Sequence, residues 1–333
     1  MSAALLVAAL RDPQSVLALN AAGWTGLLAA ARAEVLLGTL AHRLDGLAVP
    51  ESARRVLADA RAVAEQGRTA ALWEAEMARR ALAQTGMPVV LLKGTAFVAA
   101  GLSAGVGRQI GDLDILVPRD RIDEAEALLL AAGWEWVKPD PYDDAYYRRW
   151  MHELPPLIHR DRDRMIDVHH TILPLTARIT PDAAALIASG AALENGLLVL
   201  PPEGMIVHAA AHLFADGDLA GGLRNLWDIR CLIDEFGGVE FELRLAACAA
   251  HHGLTHEVMR SLRLSAALFG DGAATSLTDR LFIRRLLSRD GWGRRMHKLT
   301  EFAFYLRGHW LRMPPLMLAR HLWTKWRKGH SPA

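Results

Sequence analysis

Cysteine is scarce in this chain of 333 residues: there are two, Cys231 and Cys248. That is too few for a disulfide framework and suits a reducing compartment. No apolar run reaches the ~18 residues that a membrane-crossing helix needs. The opening stretch, MSAALLVAALRDPQ, lacks the basic residues that precede the apolar core of a cleaved signal. A cytoplasmic protein without a transmembrane segment is the expectation. An excess of one charge is missing as well. Lys and Arg number 38 against 37 Asp and Glu, a net +1, which argues against bulk attraction to long nucleic acid while leaving room for a local basic patch. With 52% hydrophobic and 23% charged residues, extensive disorder is excluded. The length allows one large domain or two ordinary ones with a real core. No internal repeat or low-complexity segment stands out.

What is present changes character along the chain. Residues 1–85 are rich in Ala, Leu and Arg, and 53–83 carries apolar positions at helical spacing (Val56, Leu57, Ala60, Val63, Ala64) with most arginines elsewhere. This reads as an amphipathic helix with a solvated arginine face, interrupted near Gly67 and ended by Gly86-Met87-Pro88. Val89-Val90-Leu91-Leu92 is a buried strand, 95–102 a short helix, and 103–111, with three glycines, a loop. A second strand spans 112–117, followed by a helix over 120–132 with Asp120 as its N-cap. Further strands are expected at 134–137, 154–159 and 165–171. From Pro181 onward strand signals disappear and helical ones take over. The expected class is α+β: a small mixed sheet at 86–180 between an N-terminal helical region, 1–85, and a C-terminal helical domain, 181–333.

The acidic residues of the sheet carry the chemistry. Asp112 and Asp114 are two apart on a strand, so both project to one face. Two such carboxylates repel by ~1 kcal/mol at 4 Å even in water. The arrangement makes sense where a positive group sits between them, and a hard divalent cation such as Mg²⁺ is the natural candidate. Asp167, within the apolar strand Met165-Ile166-Asp167-Val168-His169-His170, offers a third carboxylate, with His169 on the same face. Before the pair stands Lys93-Gly94-Thr95. Gly94 lets a backbone approach a ligand, Thr95 can open a helix whose amides favour phosphate, and Lys93 adds a point charge. Arg108, four residues ahead of Asp112, can reach the acids or a phosphate. Three carboxylates on neighbouring strands beside a glycine turn make a two-metal site for in-line phosphoryl or nucleotidyl transfer.

Residues 89–118, VVLLKGTAFVAAGLSAGVGRQIGDLDILVP, resemble the core of the DNA polymerase β-like nucleotidyltransferase superfamily. That core is a Gly-Ser or Gly-Thr turn, a short helix, Asp-x-Asp on the next strand and a third Asp on a later one. The chain is similar in particular to a bacterial nucleotidyltransferase family marked by Leu-Lys-Gly, Arg-x₃-Asp-x-Asp-x-Leu-Val, Ile-Asp-Val-His and a helical Leu-Arg-x₃-Asp. These stand here as Leu92-Lys93-Gly94, Arg108 to Val117, Ile166 to His169, and Leu223-Arg224 with Asp228. The similarity runs over roughly 60–240 and weakens toward its C-terminal part. It implies that Asp112 and Asp114 bind Mg²⁺ and the nucleotide phosphates. Asp167 would complete the metal site and assist deprotonation of the acceptor, and Gly94 and Thr95 would hold the triphosphate. Where other members have Gly-Gly-Ser or Gly-Ser, this chain has Lys93-Gly94-Thr95, which keeps the hydroxyl and leaves the role of Lys93 open.

The resulting expectation is transfer of NMP from an NTP, ATP by default, with Mg²⁺ or Mn²⁺, onto a small molecule, peptide or protein hydroxyl. Lys93, Gly94, Thr95, Arg108 and His169 form the nucleotide-binding set. The alternatives are a toxin-type tRNA nucleotidyltransferase and a non-catalytic nucleotide- or partner-binding module. His208 and His212, four apart, could join His251, His252 or His256 around Zn²⁺, although core packing is the simpler reading. His152-Glu153 is a candidate for lining the acceptor pocket. Arg224 and Asp228 read as a helix pair or as a helix-to-site contact. Arg164-x₄-His169 matches a helical ribonuclease spacing but falls on a strand. The basic, aromatic tail from Trp310 to Lys328 packs on the helical domain or lies on an anionic membrane.

Overall fold

The computed structural model describes residues 2–270, 272, 275–315, 318, 319 and 323. Four helices open the chain: α1 (Ser2–Arg11), α2 (Ala21–Ala33), α3 (Leu37–Arg43) and α4 (Glu51–Leu82). Strand β1 (Val90–Leu91) leads to α5 (Lys93–Ala99), β2 (Asp112–Leu116), α6 (Ile122–Ala131) and β3 (Trp134–Trp136). Then come α7 (Pro141–Trp150), β4 (Leu157–His159), β5 (Met165–His169), α8 (Ala183–Ala188), β6 (Ala191–Ala192) and β7 (Leu198–Val199). Helices α9 (Pro202–Ala210), α10 (Gly222–Phe236), α11 (Val239–His251), α12 (Thr255–Phe269), α13 (Leu277–Leu286) and α14 (Lys298–Arg312) complete the described residues. The fold is mixed α+β, as the residue pattern predicts.

One sheet of seven strands, ordered β3-β4-β5-β2-β1-β7-β6, organises the molecule. Its centre is the parallel pair β2–β5, in register with Asp114 opposite Asp167. Leu113, Ile115, Ile166 and Val168 fill the other face and are buried. Since side chains alternate along a strand, this register turns the acids to a common side. Strand β1 pairs antiparallel to β2 and parallel to β7. The expectation of no strand beyond Pro181 is thereby corrected: β6 and β7 extend the sheet. Each is two residues long, too short for a period-2 signal.

Helix α4 runs unbroken through Gly67, so the expected interruption is absent. Its buried positions, Ala53, Leu57, Ala64, Ala71, Ala75, Ala78 and Leu82, recur at spacings of three, four or seven and form one stripe. Its arginines are mostly solvated and paired with Glu51, Glu65 and Glu76. Asp120 does not cap a helix with its side chain; it lies in a 3₁₀ turn, Arg119–Arg121, ahead of α6. Helix α7 occupies a stretch to which no element was assigned from sequence. After α9 the chain continues as a π-helical stretch, Ala211–Asp216. No helix among the described residues is long and apolar enough to cross a membrane.

Candidate functional site

The strand register decides the centre of the site. Ligand oxygens of Asp112, Asp114 and Asp167 lie within 4.8 Å of one another. Asp112 is exposed, Asp167 half-buried and Asp114 only 3% exposed. Lys93 answers part of their charge. The chain leaves β1 beside Asp114, whose carbonyl accepts from the Leu92 amide at 3.0 Å. It then turns through a positive φ of 49° at Lys93, an uncommon conformation for a residue other than glycine. The Lys93 ammonium donates to Asp114 Oδ1 at 2.5 Å, and His169 Nε2 lies 3.0 Å from the same oxygen. The open role of Lys93 thus resolves into an ion pair with the central carboxylate.

The charges on these groups follow from this packing. Burial works against an ionised Asp114, but Lys93 and the His169 hydrogen bond outweigh it and hold the carboxyl below the usual range. Burial likewise disfavours the Lys93 charge, and Asp114 more than compensates, raising its pKa. Asp167 goes the other way: burial, with repulsion from Asp114 and Glu153, pushes it up to about 7. Negative charge therefore remains in excess after Lys93 is counted. Three hard oxygen donors with unspent charge fit a Mg²⁺ or Mn²⁺ ion, which binds through carboxylates and keeps several waters.

Glycine and arginine serve one another nearby. A Cβ on Gly94 would collide with Arg108 Nε, so the missing side chain admits the guanidinium. Arg108 does not reach Asp112 or Asp114; its Nη1 donates to Asp228 Oδ2, and its guanidinium sits over the Phe97 ring at 5.5 Å. Arg224 shares that carboxylate, donating from Nε to Asp228 Oδ1 at 2.9 Å and from Nη1 to Thr39 Oγ1 at 2.6 Å. Leu-Arg-x₃-Asp is therefore more than a helix pair: it fastens α10 to α3 and to the loop before β2. Thr95 is buried, and its hydroxyl has no hydrogen-bond partner.

A narrow, mostly apolar cleft reaches the acid cluster through Lys93, its walls including Lys93, Phe97, Arg108, Met205, His208 and Asn225. Lys93 belongs both to the cleft and to the acid cluster. His212 also lines it, with Nδ1 3.3 Å from Asn225 Nδ2. Burial holds His208 well below its ordinary pKa. Among the described residues, the groups that can hold a metal are Asp112–Asp114–Asp167 and His152–Glu153–His169. The zinc reading of His208 and His212 therefore has no third ligand: His251 faces Asp182, and His256 faces Glu257 and Arg260.

A family model described as uncharacterised nucleotidyltransferase matches residues 20–270. The chain belongs to that family. This nucleotidyltransferase is a transferase of the EC 2.7.7 type, as its motifs lead one to expect. No curated protein matches it.

In the nucleotidyltransferase, then, Asp112, Asp114, Asp167, Lys93 and His169 come together, while Arg108 turns to Asp228 and Gly94 lies beneath it. Asp228 lines the cleft, in keeping with the helix-to-site alternative that Leu-Arg-x₃-Asp offers, whereas no motif points to Asn225. Cys231 is free and buried, and burial pushes its thiol up to about 12. In the tail, Arg178 stacks on Trp310 at 4.4 Å and Thr176 donates to the Arg312 carbonyl at 2.6 Å. Residues 316, 317, 320–322 and 324–333, including Trp326 and Lys328, lie outside the described residues.

Proposed function

We propose that the protein transfers NMP from an NTP, ATP by default, to a hydroxyl on a small molecule, peptide or protein. The bond formed joins the acceptor oxygen to the α-phosphorus, the bond broken is that to the β-phosphate oxygen, and pyrophosphate leaves. The observation that carries the reading is the convergence of Asp112, Asp114 and Asp167 on one face of the β2–β5 pair, with the Lys93 ammonium between them and a neighbouring cleft.

Asp112, Asp114 and Asp167 would hold the divalent ions. When bound, those ions supply charge neutralisation at the transferring phosphoryl group and lower the barrier to ionising the acceptor. The chain's own residues do the rest. Asp167 accepts the acceptor's proton. Lys93 fixes the Asp114 carboxylate through Oδ1 and brings positive charge to the wall of the cleft. Arg108 and Phe97 shape the wall against which the nucleotide rests, and Asp228 prevents the guanidinium from swinging into the acids. Gly94 keeps that wall close to the α5 backbone. The near-neutral net charge supports an acceptor other than long nucleic acid.

The test is incubation with each labelled NTP and Mg²⁺, with and without cell extract, reading pyrophosphate release and label transfer. Asp112→Ala and Asp167→Ala are expected to abolish both, by at least ~10³-fold, with an unchanged circular dichroism spectrum. Pyrophosphate release at the wild-type rate from these variants would overturn the assignment.

A further inference from the structure

Glu153 is brought to the acid face by the backbone. It forms an isolated antiparallel bridge with His169, and the amides of Leu154 and His170 donate to the Val168 and His152 carbonyls, both at 2.9 Å. His152, Glu153 and His169 are thereby locked along the end of β5. Glu153 Oε2 lies 3.3 Å from His169 Nδ1 and 3.6 Å from His152 Nε2. The two imidazoles stack at 5.2 Å with 26° between their planes.

One feature of this trio has no explanation in hydrogen bonding. His169 is 2% exposed, and its Nδ1 has no hydrogen-bond partner despite facing the Glu153 carboxylate. Its Nε2 is already engaged by Asp114. His169 Nδ1 and Glu153 Oε2 lie close without the geometry of a hydrogen bond, and His152 Nε2 approaches the same oxygen. A cation held by all three atoms would sit off the line joining Nδ1 to Oε2, which accounts for a close approach without a hydrogen bond. The spacing is that of a metal site: two atoms bound at ~2.0–2.1 Å around a tetrahedral centre sit about 3.4 Å apart.

We infer that His152 Nε2, Glu153 Oε2 and His169 Nδ1 form a second metal site, separate from the three-aspartate site and selective for a borderline transition cation of the Zn²⁺ type. Two imidazoles and one carboxylate suit Zn²⁺, Co²⁺ or Mn²⁺ and disfavour Mg²⁺, which prefers oxygen donors. Three protein ligands leave a fourth position open, and Glu153, at 19% side-chain exposure, gives it a route to solvent. Asp114 then acts as the outer carboxylate that orients a ligating histidine, accepting from Nε2–H while Nδ1 faces the ion. One side chain would thus belong to both sites, coupling the occupancy of one to the geometry of the other. The inference stands apart from the nucleotidyl-transfer reading, because metal binding is read without nucleotide or turnover.

The experiment uses metal-stripped full-length protein, with excess Mg²⁺ present to fill the aspartate site and no nucleotide. Co²⁺ is titrated in while visible absorption is recorded. One equivalent should bind with the intense bands of a tetrahedral centre and be displaced by Zn²⁺. His152→Ala and Glu153→Gln should weaken binding at least ~10–100-fold, whereas Asp112→Asn should leave it unchanged. Circular dichroism melts show whether the variants are folded, and a folded His152→Ala that binds Co²⁺ like wild type overturns the site. So does a wild-type protein with no tetrahedral spectrum, or one whose spectrum disappears with Asp112→Asn and persists with Glu153→Gln. None of these outcomes depends on whether NMP is transferred.

Discussion

Two charged clusters lie on either side of Lys93, and they are built on opposite plans. At Asp228 two guanidiniums, from Arg108 and Arg224, close on one buried carboxylate, which leaves one positive charge over and the Arg108 Nε without a hydrogen-bond partner. At the strand ends, Asp112, Asp114, Asp167 and Glu153 share one ammonium, and burial, with repulsion from Asp114 and Glu153, pushes Asp167 up to about 7. The first cluster fastens α10 to α3 through Thr39. The second leaves negative charge on oxygen donors that converge, the arrangement a cation completes.

The sharpest way to break the contrast is to remove the shared carboxylate. Asp228→Ala leaves two buried guanidiniums unpaired and should cost about 3–5 kcal/mol of stability in urea unfolding. Adding Mg²⁺ or Mn²⁺ probes the other cluster: at one hundred times Kd, one bound ion should stabilise the fold by about 2.7 kcal/mol. Calorimetry should show that gain, and Asp167→Ala should erase it. Acid tests the cleft wall and the sheet margin. Burial, with Arg119 adding repulsion, pushes His170 down to about 4, and burial alone leads the lowering at His208. Unfolded histidine takes up its proton near pH 6.5, so as pH falls below that value the unfolded state gains protons first. Stability present above about pH 6.5 should therefore drain away toward pH 4, by on the order of 1–3 kcal/mol, as denaturant midpoints at stepped pH would record. The smallest effect has the opposite sign. Asp112→Asn, which relieves like-charge repulsion, should raise metal-free stability by less than about 1 kcal/mol while abolishing transfer.

The acid face was legible because strand alternation is a strict rule: Asp112 with Asp114, and Asp167 with His169, share faces from spacing alone, and an apolar run around an Asp marks it as placed for a purpose. The Lys93–Asp114 pair was not legible, since it depends on the register of β1 against β2 and on a left-handed turn that no residue type at that position announces. The Arg108–Asp228 contact joins residues 120 positions apart, beyond the reach of any local pattern. Helix α4 was readable from its periodic stripe, yet Gly67 misled because a single glycine costs only ~1 kcal/mol in a helix of 32 residues. Two-residue strands such as β6 and β7 carry too few positions to show alternation at all.

The placement of β7 against β1 has a consequence for how the chain is made and cut. Val90 and Leu91 present their outer backbone edge to Leu198 and Val199, so that edge stays bare until the chain through Val199 has left the ribosome. An open apolar edge of this kind invites pairing with other chains. Fragments that stop short of Leu198, however tidy their boundary looks on paper, should aggregate where longer ones remain monodisperse.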